Sequence, residues 1–532
     1  MMGYLFKLAR TEEEMQQIHR LNYKTFACEI PQHEPNDDQI LIDQFHKENT
    51  YIIAVKKQQV IGMISVRSNR PFSLDRKLGI LENHLPVNAT SPCEIRLLAV
   101  EKGHRNGRVF LGLARALIRY CLKKGYDAAV ISGTTRQLKL YEQMGFKPFA
   151  HLTGKEGAYY QPMYLTEETF YQSLAGRILP EGVQFLPGPV KIEKQVQETF
   201  IQSPISHRSK PFSSMMNEVR ERLKEMTRAN DVQIMLGSGT LANDVIAAQL
   251  SLLEGMGLIL SNGEFGERLI QHATRFQMTF DCHRVEWGHP FDLTKVEQRL
   301  KTKHYQWIWF VHCETATGVL NDLEALKLLS QKYDTALCVD CISSIGVVPL
   351  NLSHVLFASG VSGKGIGSYT GLSFVFHQKK LKEVKTLPLY LDLGNYESSN
   401  SIPYSHSSNL INAFLEALKQ YDQHDRYEKI KIRYEKLRTS LTEHKIPILT
   451  KVSNSSPTIV TIPVPRHIPS KDLGDDLYIN GYLVHYESQY LIDRNWIQLS
   501  CISEDRIENY VQAVNVLRDL LEYEREPLKQ MC

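Results

Sequence analysis

Between residues 232 and 376 the sequence repeats one rhythm, in which a short apolar run of strand length gives way to a turn and then to a helical pattern. "VQIML" (232–236) runs into "GSGT" (237–240), after which Leu241, Val245, Ala248 and Leu252 recur on one helical face. "WIWFVHC" (307–313), "TALCVDC" (335–341) and "GLSFVF" (371–376) read as further strands, with a helix in "LEALKLLSQKY" between the first two. Strands this uniformly apolar require cover on both faces, which predicts an α/β fold with a mostly parallel sheet. Ligands in such folds collect beyond the carboxyl ends of the strands.

The first third reads differently. "CEIRLLAV" (93–100) alternates as a strand, which puts Glu94 and Arg96 on one face, and the polar turn "EKGHRNG" leads into a helix. Val109, Phe110, Leu113, Ala114, Leu117, Ile118 and Cys121 give that helix a continuous apolar side. "AAVIS" is another strand, and "LKLYEQMGFKPF" (138–149) a short helix, turn and strand. This α+β pattern ends in "TEETFYQSLAGRILPEGV", where Pro180 and Gly182 punctuate the chain. The predicted organisation is a first domain over 1–168, a linker over 169–182 and a second domain over 183–532. The second would have a large part at about 195–400 and a smaller C-terminal part at about 420–525.

Across 532 residues, Lys plus Arg (62) and Asp plus Glu (59) nearly balance, leaving +3. That balance argues against nucleic acid and anionic membrane surfaces as partners and favours small-molecule substrates. No apolar run reaches the roughly eighteen residues needed to cross a bilayer, and the start "MMGYLFKLAR" lacks a leader pattern, so a cytoplasmic location is expected. The cysteines number nine, an odd count, and are scattered, which suggests reduced thiols. Cys338 and Cys341 form C-x-x-C inside a strand without a second ligand pair; core thiols are expected, and no metal.

Lys364 lies in "GVSGKGIGSYTGLSFVF", between two apolar runs. It is not a P-loop lysine, since Gly365 and then a strand follow it, and "GKGIG" lacks the helix that a dinucleotide fingerprint opens. "GSGT" stands where a helix begins, so free N–H groups, with the hydroxyls of Ser238 and Thr240, suit a phosphate. Asp340 ends an apolar strand, where a carboxylate is costly unless a cation or donors face it. A pyridinium nitrogen would be such a partner, and a desolvated Lys364 could form a Schiff base with the aldehyde of the same ring.

"FLPGPV" (185–190), "HRS" (207–209), "GSGT", "NGEFGER" (262–268), "VHCETATGVLN" (311–321), "VDCISSIG" (339–346) and "SGKGIGSYTG" occur in the order found in class V aminotransferases. Residues 183 to about 520 resemble that family, especially 2-aminoethylphosphonate transaminase and alanine-glyoxylate aminotransferase. The resemblance implies a fold type I transferase that uses pyridoxal 5'-phosphate. It gives Lys364 the Schiff base, Asp340 the ring nitrogen, Phe265 the ring face and Thr315 the ring oxygen. Ser238, Gly239 and Thr240 would hold the phosphate. Tyr404 and Ser407 in "YSHS" would reach a neighbouring subunit's phosphate, which implies a homodimer. One departure stands out. The late arginine that grips the substrate anion in this family is replaced by Gln498 in "QLSCIS", and a neutral amide lacks the charge of a guanidinium fork. Arg208 is a candidate to compensate.

Residues 1 to about 165 resemble the GCN5-related N-acyltransferases (GNAT) in "LAV", the basic turn and "LYEQMGFKP". "NYKTFACEI", "LIDQFH", "GMISVR" and "EIRLLAV" resemble acyl-homoserine-lactone and N-acyl-amino-acid synthases. The resemblance implies acyl-CoA or an acyl carrier protein thioester as co-substrate, with Val100, Arg105 and Gly107 at the donor. Only the central glycine of the family's donor-binding turn is in place. Glu29, Asp43, Arg67, Glu94 and Arg96 would lie in or beside the acceptor pocket. The acceptor amine must lose a proton as it attacks, which makes Glu94 the candidate base and Tyr141 a candidate acid for the departing thiol.

The expected activity is therefore bifunctional: transamination between small-molecule amines and keto acids, and acyl transfer to an amine. The alternative is a pyridoxal-phosphate lyase or decarboxylase whose first domain only senses an acyl thioester.

Overall fold

The computed structural model describes residues 3–30, 32–155, 158–177, 179–422 and 425–525. The chain forms two compact units. One contains the residues up to Val183 together with 472–483 and the chain from Asn515 onward; the other contains Gln184–Lys471 and Val484–Val514. The segment expected to be one small C-terminal part is thus divided between the units. Among the described residues no helix is long and apolar enough to cross a membrane.

The first unit is built on an eight-stranded sheet in the order Leu5–Leu8, Thr50–Lys56, Gln59–Arg67, Pro92–Val100, Ala128–Thr134, Ala158–Thr166 and Lys147–Pro148, with Thr153–Lys155 also on Ala158–Thr166. Its neighbours are antiparallel except for Pro92–Val100 beside Ala128–Thr134. Those two parallel strands are paired only from Pro92↔Ala128 to Glu94↔Val130 and then part, so Glu94 stands at a fork in the sheet. The helix Arg108–Lys124 buries Val109, Leu113, Ala114 and Leu117, as the spacing predicts, and Ala116 besides, while Phe110, Ile118 and Cys121 are half-buried. Each fully buried Val or Leu side chain contributes about 1.5–3 kcal/mol.

The second unit holds a seven-stranded sheet, ordered Asp231–Leu236, Leu372–His377, Phe357–Val361, Ala336–Asp340, Trp307–Val311, Gly257–Ser261 and Phe280–Arg284. Leu372–His377 runs against both its neighbours and the other strands are parallel, so the sheet is mostly parallel as expected. Gly257–Ser261 and Phe280–Arg284 were not among the strands read from the sequence. The helix Gly239–Leu250 buries Val245 and Ala248 completely, but Leu252 lies beyond its end and is exposed. A smaller two-stranded sheet pairs Ile459–Pro463 with Trp496–Ser500.

Candidate active site

The ends of five strands of the second unit lead into residues that the sequence had singled out: Ser238 follows Asp231–Leu236, Phe265 follows Gly257–Ser261, Thr315 follows Trp307–Val311, Asp340 ends its own strand, and Lys364 follows Phe357–Val361. Asp340 ends one strand and Lys364 lies just past the end of its neighbour, with Asp340 paired to Ser359. The turn at Lys364 is held rigidly. Ser362 Oγ donates to Tyr369 O at 2.6 Å, Gly367 N to Lys364 O at 2.9 Å, and the Arg426 guanidinium to Gly365 O at 3.1 Å. Gly365 is required here because a Cβ would fall 2.2 Å from Ile345 O.

Lys364 Nζ donates to Ser343 Oγ at 2.9 Å, Ser343 Oγ shares a hydrogen bond with Thr315 Oγ1, and the amine lies over the Phe265 ring, 5.3 Å from its centroid. Burial pushes the amine below its ordinary range, opposed by the charge of Asp340. Asp340 is buried, accepts from Asn243 Nδ2 and Ile342 N at 2.8 Å each, and forms no salt bridge among the described residues. Desolvation raises its carboxyl above the usual range, eased by those two donors. At the N-terminus of Gly239–Leu250, Ser238 makes no side-chain cap, so the first amides and the exposed hydroxyls of Ser238 and Thr240 face outward. Gly239 is hemmed in, since a Cβ would lie 2.6 Å from Ile342 Cδ1.

These groups suit a flat cofactor with a phosphate, a protonated ring nitrogen and an aldehyde. The buried carboxylate of Asp340 would take the ring N–H, the open helix N-terminus would take the phosphate, and Lys364 would be the amine. Asn243 Oδ1, buried without a partner, adds an unsatisfied acceptor beside Asp340. Asn243, Ser343 and Glu314 were missed as individual residues. The last two lie inside quoted motifs, and Asn243 sits one helical turn after Gly239.

Other expected residues are placed differently. Gln498 is fully buried, and its Nε2 donates to Thr315 O (2.7 Å), Ala316 O (3.0 Å) and Thr461 Oγ1 (2.8 Å), while Oε1 faces His485 Nδ1 at 2.9 Å. With two carbonyls facing Nε2 the amide has one possible orientation, and no polar atom remains for substrate. The expected substrate contact at Gln498 therefore does not fit; this residue holds the Thr315 turn. Arg208 is exposed in the turn before the helix Lys210–Thr227, and no hydrogen bond or ion pair joins it to the Lys364 group. The Tyr404 hydroxyl donates to Leu389 O, and Ser407 Oγ caps the helix Ser408–Lys419 by accepting from Leu410 N.

In the first unit Arg67, Arg96 and Asp43 gather around Phe45. Arg67 and Arg96 lie 3.7 and 4.8 Å from its ring centroid, Arg96 pairs with Asp43 at 2.7 Å, and Arg67 pairs with Glu48. Arg96 also comes within 3.7 Å of Glu94, whose carboxylate accepts from the backbone and hydroxyl of Ser73. Arg67 is buried, with Nε and Nη1 lacking a protein partner. Glu29 is instead paired with Arg105 at 2.6 Å, and Arg105 Nε donates to Val100 O. Gly107 adopts a left-handed φ of 80° just before the helix. Tyr141 packs on Gly133 and meets Phe146 edge-on, and its hydroxyl has no hydrogen bond among the described residues.

The mixed sheet with a lysine and an aspartate at adjacent strand ends defines a fold type I pyridoxal-phosphate transferase, and solved structures agree. Alanine-glyoxylate aminotransferase from Nostoc sp. superposes with a TM-score of 0.59 at 26% identity, covering 64% of this chain and 96% of that one. Residues 194–408 match class V aminotransferases, and residues 17–167 match the family described as N-acyl amino acid synthase FeeM. The soluble hydrogenase 42 kDa subunit of Anabaena cylindrica is 32% identical over 300 residues, 53% of this chain and 78% of that relative. The 2-aminoethylphosphonate–pyruvate transaminase of Bacillus mycoides is 25% identical over 252 residues, 44% of this chain and 69% of that protein. The chain belongs to the class V aminotransferase family and carries an acyltransferase-family domain of the FeeM type ahead of it.

Proposed function

We propose that the protein is a bifunctional enzyme in which the second unit transaminates a small-molecule amino compound with pyridoxal 5'-phosphate and the first transfers an acyl group from a thioester to an amine. The reading rests above all on Asp340 at its strand end, Lys364 just past the end of the neighbouring strand, and the open N-terminus of Gly239–Leu250, where Gly239 lies against Ile342 and Val361. Pyridoxal phosphate, bound there, supplies an aldehyde that an amine can capture and a protonated ring that withdraws electrons. Asp340 keeps the ring nitrogen charged, Ser238, Gly239 and Thr240 hold the phosphate, Phe265 covers the ring, and Lys364 carries protons at its Nζ. Protein supplied with the cofactor is expected to show a visible absorbance band that Lys364→Ala abolishes. A colourless wild-type protein contradicts the reading.

For the first unit the fork between Pro92–Val100 and Ala128–Thr134 is proposed to admit the thioester of acyl-CoA or an acyl carrier protein, with Glu94 as base and the Tyr141 hydroxyl as acid. Arg67 and Arg96 orient the acceptor. Thiol release from acyl-CoA is expected only when an amine is present, and Glu94→Gln is expected to slow it about 10²–10⁴-fold. No release at all would favour a sensor role, and amine-independent release would mark thioester hydrolysis in place of acyl transfer to an amine. A homodimer with Tyr404 and Ser407 near the neighbouring phosphate and a cytoplasmic setting complete the proposal.

A second reading, lyase or decarboxylase chemistry on the same cofactor, is favoured by the full engagement of Gln498, which leaves no anion grip at that position. Accumulation of the aminated cofactor after an amino donor is added supports transamination; release of ammonia or carbon dioxide without it supports the alternative.

A further inference from the structure

Glu314 has no place in the chemistry described so far, yet it stands between two of the site's elements. Its side chain is fully buried and forms no salt bridge among the described residues. Instead it accepts three backbone N–H groups, from Phe265 and Gly266 at 3.1 Å each and from Ala316 at 3.0 Å. Phe265 and Gly266 open the helix Glu264–Arg275, where the first amides have no acceptor within the helix itself. Gly263 makes the approach possible, since a Cβ there would lie 2.3 Å from Glu314 Cδ. The third donor, Ala316, belongs to the turn that carries Thr315, and the carbonyls of that turn are held from the other side by Gln498 Nε2.

We propose that Glu314 is a positioning residue of the aminotransferase site, one carboxylate that locks the Phe265 platform and the Thr315 turn at a fixed spacing about the cofactor site. The assignment rests on the pyridoxal-phosphate reading for what lies between those two residues, and on the hydrogen bonds alone for the lock itself. The ionised carboxylate fits because it is acceptor-only; a proton on one oxygen, or the N–H₂ of a glutamine, would turn a donor toward backbone N–H donors. Glu314 touches neither Lys364 nor Asp340 by hydrogen bond, so its loss should loosen the platform without removing the amine that captures the cofactor.

The test has two arms. In wild-type protein without cofactor, hydrogen exchange at the Phe265 and Gly266 amides should be slow despite their place in a first helical turn, and Glu314→Gln should speed it at least tenfold. With cofactor added, Glu314→Gln should still bind it covalently at Lys364, while the circular dichroism of the visible band falls by half or more and the cofactor Kd rises at least tenfold. Fast exchange at both amides in the wild-type protein overturns the proposal, which keeps it testable even if the variant does not fold. So does a folded Glu314→Gln protein whose exchange and dichroism match wild type. Failure of the wild-type protein to bind the cofactor, with slow exchange retained, would count against the pyridoxal-phosphate reading and leave the lock standing.

Discussion

Asp340 ends one strand and Lys364 lies in the turn after its neighbour, and burial acts on them in opposite senses, raising the carboxyl and lowering the amine. Asp340→Asn removes the charge and leaves one oxygen where Asn243 and Ile342 each donate to a different one, and transamination turnover is expected to fall about 10²–10³-fold. Steady-state kinetics on cofactor-saturated protein checks this. Glu314 titrates in the same neighbourhood as Asp340, Lys364, Cys313 and Tyr490, and desolvation raises its carboxyl to about 7. Because the folded value lies above the unfolded one, the stabilisation is present at low pH and is lost as pH rises toward 7. Relative to Glu314→Gln, wild type is expected to lose roughly 3 kcal/mol of unfolding free energy between about pH 4.5 and 7, measured by denaturant titration. Gln498→Glu sets a negative oxygen against Thr315 O and Ala316 O, so a loss of about 2–3 kcal/mol or more is expected in the same assay. Lys364 and Asp340 were legible because their residue types are conspicuous at strand ends. The partner of Gln498 was not, because Thr315 lies 183 residues away.

At the scale of elements, the strand–turn–helix units were readable because apolar period and small turn residues agree. What periodicity does not encode is where paired strands separate. The parting of Pro92–Val100 from Ala128–Thr134 after Glu94 is set by register between distant segments, although it places the candidate base. Two glycines mark element ends that depend on backbone freedom or space. Gly239→Ala is expected to displace Ile342 and weaken cofactor binding about tenfold or more while leaving the sheet intact, which absorbance titration would detect. Gly107, at φ 80°, begins the helix Arg108–Lys124, and Gly107→Ala is expected to cost about 1–2 kcal/mol in the first unit.

At the scale of the whole molecule, the least legible feature was the return of distant segments to the first unit. Lys7, fully buried, pairs with Glu14 at 2.5 Å and Glu524 at 2.7 Å, and Tyr523 donates to Glu14. Asp476 accepts from Leu8 N at 2.9 Å and pairs with Arg10 at 2.7 Å. No local pattern announces such partners, since charges on amphipathic helices ordinarily face water. Asp476→Ala strips Leu8 N and Arg10 of a buried acceptor, and a destabilisation of about 3–5 kcal/mol confined to the first unit is expected by hydrogen exchange. Proteins cut near residue 170 lack both segments and should be less stable than the same unit in the full chain.

The central claim is that Lys364 is the amine to which pyridoxal phosphate attaches. Borohydride reduction of the cofactor-loaded full chain, followed by peptide mass mapping, tests it most directly. The expected result is a single modified peptide, spanning "GVSGKGIGSYTG", that carries the reduced cofactor on Lys364. Modification at a different lysine, or an unmodified peptide in protein that has bound the cofactor, would contradict it.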